Sequence, residues 1–147
     1  MSRPVFIVGG PNLGRLGRRE PEIYGDLTWE ELGRKCKQWG RDLALDVEFL
    51  QSDHEGDLVQ MIHRATDEGR GLILNAAAYT HTSVAVRDAV AACDVPVIEL
   101  HLTNPAAREE FRRNNLLCDV VTATVNGFGV DGYRLALTGL KGLLDRG

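Results

Sequence analysis

Apolar residues gather in five short runs along the chain, and stretches whose apolar positions recur with a helical period lie between them. Val5 to Val8, just after Pro4, is too short and too β-branched for a helix and reads as a fully buried strand. Val47 to Leu50, Leu72 to Leu74, Val95 to Leu100 and Asp119 to Val125 supply four more. Trp29, Leu32, Cys36, Trp39 and Leu43 recur at three and four residues and form one apolar helical face. Thr28 and Glu31 have the spacing of a capping box at the start of that helix, which is expected to end near Arg41 to Ala44. A second helix is expected from Asp57 to Glu68, with Leu58, Met61, Ile62 and Ala65 facing inward and Gly69 as its stop. Thr82 or Ser83 caps a third, Val84 to Ala92. Ala106 to Arg113 reads as a short charged helix, with Thr103 and Asn104 as caps and Pro105 at a tolerated first position. Tyr133, Ala136, Leu137, Leu140 and Leu144 mark the closing helix.

Strands written as runs, alternating with helices, imply an α/β fold with a parallel sheet covered on both faces. No repeat, low-complexity tract or linker interrupts residues 1–147, so one domain is expected. The Val84 to Ala92 helix is apolar almost all round, apart from Arg87 and Asp88, and needs cover on more than one side; a second subunit is the expected cover. One connection is too long for its place. Strand-to-helix links need about 2–6 residues, whereas Gly9 to Gly25 carries Asn12, Arg15, Arg18, Arg19, Tyr24 and five glycines. It reads as an active-site loop. Ligands of open parallel sheets bind beyond the carboxyl ends of the strands, where the strand order reverses. For the order 2-1-3-4-5, the segments after strands one, three and four meet around one crevice. They hold Asn12, Arg19 and Tyr24; Asn75 and His81; and Glu99, His101 and Arg112. The second and fifth strands carry less of this chemistry.

Composition narrows the class. A chain of 147 residues, 44% hydrophobic and 26% charged, suits one compact core. No apolar run approaches the roughly 18 residues of a membrane span, and the first residues lack the pattern of a secretory signal. A net charge of −4 disfavours nonspecific binding of nucleic acid. Cys36, Cys93 and Cys118 are scattered, with no Cys-x-x-Cys pair, as expected of reduced thiols in a cytoplasmic protein.

The crevice residues suggest proton transfer. A free tyrosine is ionised in roughly one molecule per thousand at neutral pH, and a neighbouring guanidinium lowers its pKa by about 1–3 units. Arg19 folding back on Tyr24 would make a base; an ordinary surface tyrosine beside loop arginines is the plainer alternative. Glu99 points to the same side of its strand as His101 and could orient the imidazole as a general acid. A structural histidine fits the pattern equally well. His81, His101 and Glu99 match no established metal-ligand spacing. Gly127 to Gly132 fits the dinucleotide fingerprint G-x-G-x-x-G but follows the last predicted strand, so it reads as a tight turn. No Gly-Lys-Ser/Thr phosphate loop exists, and no cofactor or metal is expected.

GPNLGRLGRREPEIYG, LNAAAYTHTSVAVRDA, PVIELHLTNPAAREEFR and GFGVDGY, in this order, closely resemble type II 3-dehydroquinate dehydratase, also called type II dehydroquinase. The resemblance runs from the first strand to the last helix. It implies a flavodoxin-like three-layer sandwich with a five-stranded parallel sheet, and cofactor-free dehydration of 3-dehydroquinate to 3-dehydroshikimate. It also implies a dodecamer, a tetramer of trimers. Tyr24 then matches the base, Arg19 the arginine that keeps it ionised, His101 the general acid and Glu99 its orienting carboxylate. Asn12 matches the residue that holds a water against the enolate oxygen. Asn75, His81, Leu102, Thr103 and Arg112 correspond to substrate contacts, and Asp88 to a contact supplied by an adjacent subunit.

The chain departs from the family pattern in places. Gly10 stands where asparagine is usual, Ala77 and Ala78 replace a glycine-richer turn, and Thr103 replaces serine. Asn114-Asn115-Leu116 replaces a stretch that usually contains serine, and Ala123 replaces glycine. None removes a proposed catalytic group. Two other readings compete: a catalytically retired paralogue that binds quinate-like acids, and a nucleotide-binding module, disfavoured by the missing phosphate loop.

Overall fold

A computed structural model describes residues 3–18 and 20–147, apart from the side chains of Ile23 and Tyr24. Five parallel strands form one sheet: β1 (Val5–Gly9), β2 (Val47–Gln51), β3 (Gly71–Asn75), β4 (Val97–His101) and β5 (Ala123–Asn126), in the order β2-β1-β3-β4-β5. The helices are α1 (Pro21–Tyr24), α2 (Trp29–Asp42), α3 (Glu55–Glu68), α4 (Val84–Ala91) and α5 (Asp131–Arg146).

Alternation along the buried strands builds three layers, because successive side chains leave a strand on opposite faces. Val5 and Ile7 of β1 join Ile73, Ile98 and Leu100 in a core completed by Leu32 and Cys36 of α2 and by Tyr133, Leu137 and Leu140 of α5. Phe6 and Val8 join Leu72 and Leu74 in a second core with Leu58 and Ile62 of α3 and Val86 and Val90 of α4. Full burial of each large aliphatic side chain contributes about 1.5–3 kcal/mol, so both helical layers are firmly attached. The expected capping box is present: Glu31 N–H donates to Thr28 Oγ1 at 3.1 Å, and Thr28 N–H to Glu31 Oε1 at 3.2 Å. Ser83, not Thr82, caps α4, accepting from Val86 N–H at 2.9 Å.

Several boundaries differ from the sequence pattern, each for a local reason. α3 starts at Glu55, two residues before Asp57. Gly69 ends it in an extended conformation (φ −107°) rather than a left-handed one, and a Cβ there would lie 2.7 Å from both Ala65 O and Phe6. β4 begins at Val97 rather than Val95 because Pro96 has no N–H for the ladder; its carbonyl accepts from Leu72 N–H. Ala106 to Arg113 is no α-helix but two 3₁₀ turns, Pro105–Ala107 and Glu110–Arg113, separated by extended Arg108. Neither turn buries a residue, and a helix this short lacks stability without a packed face. The fifth strand shrinks to Ala123–Asn126. Residues 119–122 are drawn into a turn, with Val120 N–H bonded to Leu117 O.

Candidate active site

Beyond the carboxyl ends of β1, β3 and β4 lies a cleft of about 800 Å³, counted out to its open mouth. Asn12, Asn75, His81, His101, Leu102, Thr103 and Arg112 line it, so seven of the residues singled out above converge. Glu99 sits directly behind His101. Asp88 is exposed on α4 and does not line the cleft of its own chain. Arg19 and the Tyr24 side chain lie outside the described residues. Arg108 and Arg15 also line the cleft. In the sequence Arg108 looked like one more charge on a helix face; the break in the helix at that residue brings it to the cleft.

The polar groups are held by specific partners. Glu99 and His101 share one face of β4, and His101 Nε2 lies 2.7 Å from Glu99 Oε2, both side chains being buried. A carboxylate only accepts, so this contact puts a proton on Nε2. Nδ1 is then the nitrogen left to serve a reacting group. His81 is fixed in the opposite sense: Nδ1 donates to Asn114 O at 2.8 Å, and a neutral ring then offers Nε2 as an acceptor. Asn75 accepts from Ala77 N–H through Oδ1 at 3.0 Å, which assigns its amide nitrogen to the other side. Arg112 forks onto Glu109 at 2.9 and 3.4 Å, and its guanidinium holds the Glu109 carboxyl below the usual range. An incoming carboxylate would displace Glu109 from these donors or take the other edge of the guanidinium.

The loop after β1 is tethered by the end of β2, one of the two strands expected to carry less of the site chemistry. Asn12 adopts φ 72° and donates its N–H to Asp53 Oδ1 at 2.9 Å, while Gln51 Nε2 reaches Gly10 O at 3.2 Å and Asp53 Oδ1 at 3.1 Å. The Asn12 N–H, and then the Gln51 amide, hold the Asp53 carboxyl below its ordinary value. Two of the departures from the family pattern belong together. Ala77 takes φ 52°, and a Cβ added at Gly10 would lie 2.6 Å from Ala76 O. The Ala76–Ala77 backbone comes so close to β1 that only glycine fits at position 10.

The G-x-G-x-x-G stretch is spent on structure. Gly127 (φ 92°) and Gly129 (φ 59°) direct their N–H groups to His101 O and Leu102 O, bracing the end of β4. Among the described residues no group of three His, Cys, Asp or Glu side chains could hold a metal ion, and none of the three lysines lines the cleft.

Comparison with known proteins agrees with this geometry. A family model described as dehydroquinase class II matches residues 3–141. Proteins named 3-dehydroquinate dehydratase from Rhizobium johnstonii and Salinispora tropica are 47% and 50% identical to the chain. The alignments cover 97% of it and 99% of the first relative, and 90% of it and 93% of the second. The crystal structure of type II dehydroquinase from Propionibacterium acnes superposes with a TM-score of 0.93 at 44% identity, over 97% of this chain and 98% of that one. Matched over nearly its whole length by the family model, by these relatives and by this structure, the chain belongs to the class II dehydroquinase family.

Proposed function

We propose that the cleft dehydrates 3-dehydroquinate to 3-dehydroshikimate, the reaction that the relatives' shared name describes, in the shikimate or the quinate pathway. The carrying observation is the buried Glu99–His101 pair at the end of β4, beside Asn12, Asn75 and Arg112. A base, assigned to Tyr24 with Arg19 stabilising its phenolate, removes the proton next to the ketone. Electrons move onto the carbonyl oxygen, where Asn12 holds a water that steadies the enolate. The enolate collapses and the β-hydroxyl departs, taking a proton from His101, whose positive charge faces Glu99. Arg112 clamps the substrate carboxylate as a bidentate donor, while Asn75, His81, Leu102 and Thr103 hold the rest of the molecule. The base and the acid each supply about 10²–10⁴-fold. No step calls for a Schiff base or a cofactor.

The same reading takes residues 1–147 as one catalytic domain working as a homo-oligomer, a dodecamer of four trimers, in the cytoplasm. Val84, Ala85, Asp88 and Ala91 leave an exposed face on α4, which fits Asp88 serving the cleft of an adjacent subunit. Three free thiols, Cys36, Cys93 and Cys118, suit a reducing compartment.

The test follows enone absorbance with 3-dehydroquinate as substrate. Wild type is expected to turn over, and Tyr24→Phe to fold normally yet lose at least about 10²-fold in kcat. Unchanged turnover in that variant would remove Tyr24 from its role. Ligand binding by wild type without enone would instead favour a retired paralogue.

A further inference from the structure

We infer that Asn115 is a positioning residue of the active site, holding Glu99 so that the carboxylate presents His101 to the cleft. The inference rests on the reading of His101 as the acid and extends it to a residue outside the cleft lining.

Three observations carry it. Asn115 Nδ2 donates to Glu99 Oε2 at 2.7 Å, the same oxygen that His101 Nε2 approaches at 2.7 Å. The orientation of the Asn115 amide is settled from its other end: Oδ1 accepts from Leu117 N–H at 2.7 Å and from Cys118 N–H at 2.9 Å. Backbone N–H groups can only donate, so Oδ1 must face them and the NH₂ must face Glu99. Finally, Glu99 Oε1 is buried without a hydrogen-bond partner among the described residues. Among the described residues, Glu99 is therefore held through Oε2, by His101 and by Asn115. A buried carboxylate that loses one of two donors is free to swing, and it carries the imidazole with it.

The turn that shortens the fifth strand explains how Asn115 comes to this place. Leu117 is fully buried in the second core, and Arg87 of α4 pins the same turn, donating to Leu116 O at 2.8 Å and pairing with Asp119. The Asn115 side chain is thus fixed by packing and backbone bonds on one side and delivers a single oriented donor on the other.

Two variants of the full chain separate positioning from simple loss of structure. Asn115→Asp keeps an oxygen for the Leu117 and Cys118 N–H groups but replaces the NH₂ facing Glu99; Asn115→Ala removes both functions. Both are expected to lower kcat about 10–100-fold with KM within about twofold; both also lower the melting temperature, Asn115→Ala through the lost Leu117 and Cys118 contacts and Asn115→Asp through the like charge it sets against Glu99. In both, the ring-nitrogen signals of His101 in long-range ¹H–¹⁵N spectra, assigned with His101→Gln, are expected to move from the Nε2–H pattern. In a Glu99→Gln background neither variant should reduce kcat further. Turnover within twofold of wild type in both variants, with the His101 signals in place, would overturn the inference. So would a kcat loss of the same size in the Glu99→Gln background. If wild type forms no enone yet the His101 signals still move in the variants, the positioning role stands and the assigned reaction fails.

Discussion

His101 and Asn12 line one cleft, yet the two are held by different kinds of structure. His101 ends a strand buried along its whole length, and its carboxylate partner receives a second donor from a turn that packs into the core. Asn12 rides a loop in a left-handed conformation, fastened to the end of an edge strand by one exposed and one half-buried hydrogen bond. Such hydrogen bonds contribute about 0.5–1.5 kcal/mol each, so they bias the loop without freezing it. On the proposed mechanism, the acid side is built into the sheet and the enolate side is carried on a tether. Changes on the two sides should therefore fail differently: chemistry collapses at β4, and geometry loosens at the β1 loop.

The strongest test of this contrast away from the acid itself is Arg112→Lys. Losing the planar fork should cost about 1.5 kcal/mol in carboxylate binding, which raises KM for 3-dehydroquinate about tenfold with kcat nearly kept. A fall in kcat alone, in steady-state enone assays, would place Arg112 in the chemistry instead. Asp53→Ala should act more gently. It releases the Asn12 N–H and the Gln51 amide together, and kcat/KM is expected to fall about threefold to tenfold with the melting temperature little changed. An unaltered kcat/KM would show that the tether from β2 does not matter to the site. The smallest effect is expected for Ala77→Gly. A left-handed alanine costs about 1–2 kcal/mol, offset by about 0.4–1 kcal/mol of chain entropy on changing to glycine. The variant should melt about 1–3 °C higher; a lower melting temperature would mean that the Ala77 methyl packs usefully.

Much of this organisation was legible in the residues. Short apolar runs marked the first four strands, and the spacing of Trp29, Leu32 and Cys36 with Thr28 and Glu31 specified α2 down to its cap. The convergence of Asn12, Asn75 and His101 followed from where ligands bind in a parallel sheet. What stayed hidden depended on contacts far apart in sequence. Asp53 meets Asn12 across 41 positions, and Asn115 meets Glu99 across 16. Periodicity carries no trace of such pairs. The 106–113 segment misled because its charges suit a helix, while its one large apolar residue, Phe111, stays exposed and packs against no core. Asp119 to Val121 resembled a strand because Val120 and Val121 do meet the second core, but from a turn. Gly10 and Ala77 read as two unrelated departures until the approach of their backbones tied them together.

Turnover of 3-dehydroquinate by His101→Gln, compared with wild type at neutral pH, is the sharpest test of the acid's place at the end of β4. The buried imidazole, presented by Glu99, is the group asked to protonate the departing hydroxyl. The variant is expected to fold and to lose about 10²–10⁴-fold in kcat. A folded His101→Gln protein that forms the enone within about twofold of the wild-type rate would contradict that role.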